Sequence, residues 1–120
     1  MNILDKIIAQ KRIEVEERKK QTPVEVLREQ PLYNRPTFSL KQFLLDDAKT
    51  GIIAEFKRQS PSKGIINGTA DVVEVTSAYT SNGASCLSVL TDEQFFGGSS
   101  NDLMKARVNR IPILRKDFMV

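Results

Sequence analysis

The sequence predicts an α/β fold organised around a parallel sheet, and three observations lead there. Residues 51–120 alternate short apolar runs with helical periods in the order β-α-β-α-β. The connections are long enough only for crossovers, so the strands run parallel with right-handed connections. Residues 1–50, in contrast, carry helical spacing and turn signals without a strand pattern. The chain therefore reads as a helical extension (1–50) followed by a β-α-β-α-β portion (51–120). That pattern breaks off abruptly, because the last strand ends two residues before the end of the 120.

The elements follow in order. In the first 20 residues Ile3, Leu4, Ile7, Ile8 and Val15 fall at helical spacing, and Glu14–Arg18 and Glu16–Lys20 are i,i+4 pairs. The segment T22-P23-V24-E25 opens a second short helix, with Thr22 as cap, Pro23 in the first turn and Glu25 closing a capping box. Pro31 to Pro36 break regular structure, after which Ser39 caps a third helix carrying Leu40, Phe43 and Leu44. GIIAEFKR (51–58) is a strand, opened by Gly and closed by charge. QSPSKGIINGTA is a loop. Asp71 caps the helix VVEVTSAYTSN, which Gly83 closes. SCLSVLT (85–91) is the next strand, followed by the loop DEQFFGGS. Ser99 or Ser100 caps the helix NDLMKARVN, and PILRKDF (112–118) is the third strand.

Composition limits the chemistry. There is no His and a single Cys, so neither a Ser-His or Cys-His nucleophile nor a His-rich zinc site can be built. Acid–base work must come from Lys, Asp, Glu or Tyr. The lone Cys86 rules out an internal disulfide, reads as a buried small side chain and suits a reducing cytoplasm. The net charge is +3, but residues 1–20 mix six Lys/Arg with four Asp/Glu and no basic run appears. That argues against nucleic acid and leaves an anionic small molecule as the partner of the excess charge. No apolar stretch approaches a membrane span of about 20 residues. Asp5 and Lys6 interrupt any signal-peptide pattern.

Candidate site residues lie at the strand ends. A period of two puts Ile53, Glu55 and Lys57 on one face of the first strand, and Ile52, Ala54, Phe56 and Arg58 on the other. Glu55 and Lys57 read either as a structural ion pair or as a functional couple. In the functional reading the cation favours an ionised Glu, and burial favours a neutral Lys. Ligands in α/β folds sit at that end of the sheet. The following S60-P61-S62-K63-G64 offers hydroxyls and backbone N–H groups that suit a phosphate, though not in Walker A order. In R115-K116-D117-F118, Leu114 and Lys116 share one face, with Arg115 and Asp117 on the other. Two lysines and a glutamate at one sheet edge suit an anionic substrate and proton transfer. Phe95 and Phe96 read first as packing.

The segments IIAEFKRQSPSKG, SVLTDEQFFGGS and PILRKDF resemble the first three strand-and-loop signatures of the indole-3-glycerol phosphate synthase family. The opening LDKIIAQKRIEVEERK resembles that family's extra N-terminal helices. The resemblance covers essentially the whole chain, in order and spacing. It implies a (β/α)8 TIM barrel with its site at the C-terminal strand ends. It also implies an enzyme of tryptophan biosynthesis, a carboxy-lyase. Such an enzyme converts 1-(2-carboxyphenylamino)-1-deoxyribulose 5-phosphate to indole-3-glycerol phosphate, CO2 and water without metal or organic cofactor. Lys116 is then the general acid at the substrate carbonyl. Lys57 contacts the carboxylate and phosphate ends and assists dehydration, with Glu55 as its proton-accepting partner. Ser60 contacts phosphate, and Phe95, Phe96 and Phe118 pack around the substrate's aromatic ring.

A complete barrel takes about 250 residues. The chain thus reads as the N-terminal portion of one, without later-strand residues that the family also uses, and is expected to be inactive alone. The alternatives are a non-catalytic half-barrel, self-associating or pairing with a complementary fragment through its open sheet edge, and another phosphate-binding barrel such as a phosphoribosylanthranilate isomerase. The combination of EFKRQSPSKG with LRKDF speaks against the latter.

Overall fold

A computed structural model describes residues 2–120. It contains five helices and five strands among the described residues, divided into two compact units. One holds the residues up to Thr37 together with Phe118–Val120, and the other Phe38–Asp117.

In the first unit, α1 (Ile3–Gln21) starts at Asn2, whose side chain accepts from the Asp5 N–H while Asp5 accepts from the Asn2 N–H, a reciprocal capping box. Arg18, Lys19 and Lys20 fill its last turn, where cations complement the helix dipole. The Glu14–Arg18 pair forms at 3.5 Å, whereas Glu16 pairs with Lys19 at 3.5 Å, not with Lys20. Of the apolar residues at helical spacing, Ile7 is buried, while Ile3 and Leu4 are half exposed. The helix α2 (Val24–Arg28) corrects one expectation. Pro23 occupies the N-cap position without a side-chain cap bond, and Thr22 is the C-cap of α1, its N–H donating to the Arg18 carbonyl at 2.8 Å. With only Thr22 and Pro23 between the two helices, Thr22 is committed to ending the first.

The second unit carries the sheet. α3 (Leu40–Leu44) is capped by the Ser39 hydroxyl, which accepts from the Gln42 N–H. The strands β1 (Ile53–Phe56), β4 (Cys86–Leu90) and β5 (Ile113–Lys116) form a parallel sheet in the order β1-β4-β5. Between the first two of these, the expected loop 59–70 holds a small antiparallel hairpin. Its strands are β2 (Gln59–Ser60) and β3 (Gly64–Ile65), turned by Pro61–Lys63, with Gly64 at φ +66°. Two-residue strands give no periodicity to detect.

The crossover helices α4 (Val72–Ser81) and α5 (Ser100–Ala106) begin at Asp71 and Ser99, whose side chains accept from the Glu74 and Asp102 N–H groups. Together they cover one sheet face. Its core is Phe56, Val72, Val89 and Ala106, with Val75, Leu103 and Ile113 packed around it. Every residue of central β4 is buried. In the interior, Asn109 donates to Thr76 Oγ1 (3.0 Å) and to the Ala106 carbonyl (2.9 Å), and Ser85 Oγ accepts from the Gly51 N–H (2.8 Å). The outer edges of β1 and β5 carry no strand partner among the described residues. This is the open first part of a barrel sheet. No helix among the described residues is long and apolar enough to cross a membrane.

Candidate functional site

The pleat decides what reaches the sheet face opposite α4 and α5. Phe56 points into the helix-covered core, so its neighbour Glu55 must point the opposite way. Register then places Ser88 of β4 opposite Glu55 and Leu114 of β5 opposite Ser88, with Lys116 one pleat further along. These residues meet. Glu55 Oε2 accepts from Ser88 Oγ at 2.8 Å and from Lys116 Nζ at 3.2 Å. One residue from each of the three strands thus converges at the C-terminal half of the sheet. The side chains of Glu55 and Lys116 remain 32% and 51% exposed. An ion pair this wet adds about 1 kcal/mol or less to stability, so its significance is geometric.

The partner of Glu55 is therefore Lys116 across the sheet, not Lys57 two residues along. Lys57 follows the end of β1, is half-buried, and makes no hydrogen bond or ion pair among the described residues. Its ammonium is available to an incoming anion. Ser60 is buried in β2 and its hydroxyl accepts from the Lys63 N–H at 3.2 Å, with Ser62 Oγ 3.4 Å away. Phe95 and Phe96 are half-buried in the turn after β4. Both of their N–H groups donate to Asp92 Oδ2, at 2.8 and 3.1 Å, which fixes the backbone of that turn. Phe118 is half-buried beyond β5 and falls in the other compact unit, with the N-terminal helices.

Two supports escaped the sequence reading. Arg58 forms a two-pronged ion pair with Asp102 at the start of α5, donates to the Ala70 carbonyl at 3.1 Å, and lies over the Phe56 ring at 4.8 Å. It latches the loop after β1 to the helix before β5. Asp102 is the third residue of its helix, where the dipole already favours a carboxylate; that local signal was present, but its partner lies 44 residues away. The second support is Gly98, whose N–H donates to the Asp92 carbonyl at 2.7 Å. A Cβ there would sit 2.0 Å from the Leu90 carbonyl oxygen, so only glycine lets the turn close on the strand end. Thr91, the residue after β4, donates to Asp117 Oδ2 at 2.7 Å and ties the ends of β4 and β5 together.

The arrangement can hold an anion at Lys57 and deliver a proton from Lys116, with Glu55 as the counter-charge. Comparison with known proteins bears on this. The family profile described as indole-3-glycerol phosphate synthase matches residues 4–120. The indole-3-glycerol phosphate synthase of Bacteroides thetaiotaomicron is 47% identical over 120 residues, covering 99% of this chain and 46% of the relative. Proteins of the same name from Polaromonas sp. and Syntrophobacter fumaroxidans are each 42% identical, over 123 and 122 residues, covering 99% of this chain and 47% and 46% of the relatives. The chain spans a little under half the length of these curated relatives.

Proposed function

The chain belongs to the indole-3-glycerol phosphate synthase family, and from that premise we propose that a full-length barrel carrying it closes an indole ring. The substrate is 1-(2-carboxyphenylamino)-1-deoxyribulose 5-phosphate. The aromatic carbon bearing the carboxylate attacks the ketone carbonyl, CO2 leaves, and loss of water gives indole-3-glycerol phosphate. The observation that carries this reading is the convergence of Lys116 Nζ and Ser88 Oγ on Glu55 Oε2 at the C-terminal end of the sheet.

Each residue then has a task. As the ring closes, negative charge grows on the carbonyl oxygen, and Lys116 delivers a proton to it. Glu55 holds that ammonium in place beforehand and accepts a proton in the dehydration. Lys57 binds the anionic ends of the substrate, and the Ser60 turn lies near enough in sequence to the strand end to take the phosphate. Phe95 and Phe96 wall the aromatic ring, giving an apolar surround that tolerates the loss of the carboxylate. The enzyme's compartment in this reading is the cytoplasm.

The 120 residues alone are expected to show negligible turnover, since the chain spans under half the length of its relatives. The unpaired edges of β1 and β5, with Ile53 and Leu114 43% and 46% exposed on the face opposite α4 and α5, favour a second property. The isolated chain self-associates or takes up a complementary half-barrel. The test of the catalytic reading is Lys116→Ala in the full-length barrel, followed by indole fluorescence on the carboxyphenylamino substrate. A loss of kcat of at least about a hundredfold is expected for removal of a general acid; activity equal to the unsubstituted protein refutes the role.

A further inference from the structure

Ser88 is a polar residue in the middle of a wholly buried strand. It is 3% exposed, its neighbours Leu87 and Val89 are fully buried, and its hydroxyl has one partner among the described residues, Glu55 Oε2 at 2.8 Å. A hydroxyl is costly to bury, and an alanine would fit the same space without that cost. The bond also lies on the oxygen that Lys116 uses. A glutamate's terminal torsion is broad, so the backbone of β1 alone does not fix the carboxylate. At 32% and 51% exposure, water competes for both members of the ion pair.

We propose that Ser88 is a positioning residue for the acid–base pair. Its hydroxyl pins Oε2 from the rigid central strand, so the carboxylate stands at a fixed height and draws the Lys116 ammonium to one place. Oε1 is left without a hydrogen bond among the described residues, free to accept a proton. Ser88 touches no reacting atom itself; it acts through Glu55. The inference rests on the ring-closure reading above and adds a residue to it.

The test compares the unsubstituted full-length barrel with its Ser88→Ala and Ser88→Thr variants. Each is assayed for kcat and KM on the carboxyphenylamino substrate and for melting temperature. Loosening a proton-transfer group by a fraction of an ångström lowers kcat by about tenfold while KM stays within about twofold. Ser88→Ala is expected to do this with an unchanged melting temperature, and Ser88→Thr, which keeps the hydroxyl, to recover most of kcat. Wild-type kcat in Ser88→Ala overturns the positioning role alone. So does a parallel fall in kcat and melting temperature, which marks a packing effect. An unsubstituted barrel without ring-closure activity, or a fully active Lys116→Ala, overturns the catalytic reading and this inference with it.

Discussion

Replacing Gly98 by alanine isolates a single steric contact. The added Cβ would lie 2.0 Å from the Leu90 carbonyl oxygen, 2.6 Å from its carbon and 3.1 Å from the Thr91 nitrogen, all backbone atoms of the strand end. A carbon needs about 3.3 Å from a carbonyl oxygen, so the turn must retreat by more than an ångström. That retreat breaks the 2.7 Å bond from the Gly98 N–H to the Asp92 carbonyl. Overpacking costs about 1–3 kcal/mol and a lost buried hydrogen bond about 1 more, so the expected loss is about 3 kcal/mol. Two other glycines serve as controls. Gly64 meets nothing within 4 Å but has φ +66°, so Gly64→Ala loses only the conformational term, about 1 kcal/mol. Gly68 makes one ordinary contact, 3.4 Å to the Ile65 side chain, with no positive φ, so Gly68→Ala is near neutral. Urea denaturation followed by far-UV circular dichroism should rank the three variants in that order. Equal midpoints for the Gly98 and Gly68 variants would refute the steric argument.

The Arg58 latch and the buried thiol give further tests. Arg58→Met strands Asp102, whose side chain is 8% exposed, and should cost about 3 kcal/mol. Adding Asp102→Leu should restore more than half of it in the same denaturation assay, whereas additive losses would dissolve the latch. Cys86 is fully buried, and burial pushes its thiol pKa up. Below about pH 8.5 the thiol is neutral in both folded and unfolded chains and contributes no pH dependence. Above that, the unfolded thiol ionises first, so this group lowers stability as pH rises. A disulfide reagent at pH 8 should therefore modify Cys86 at the rate of unfolding; an immediate burst in the native protein would contradict its burial.

What the sequence made legible was local. Asp71 and Ser39 cap their helices because a side-chain oxygen and an N–H three residues on are all the motif requires. The faces of β1 and β5 followed from the pleat: Phe56 in and Glu55 out is a property of one strand. The Glu55–Lys116 pair was out of reach because it depends on register across three strands, 61 residues apart in sequence, while Lys57 lies only two residues from Glu55. Arg58 and Asp102 failed to declare themselves for the same reason. Thr22 misled because two helix ends competed for one residue.

The order of the strands in the sheet is also their order in the chain. β4 is laid beside β1, and β5 beside β4, so each pairing closes against the element made just before it. A chain emerging from the ribosome can add one βα unit at a time without waiting for a distant segment. Helices α4 and α5 seal one face as they appear. Lys116, the last residue of the third strand, meets Glu55 only when that third unit docks. The Glu55–Lys116 pair is thus assembled last within this segment, as a by-product of the same step that extends the growing sheet.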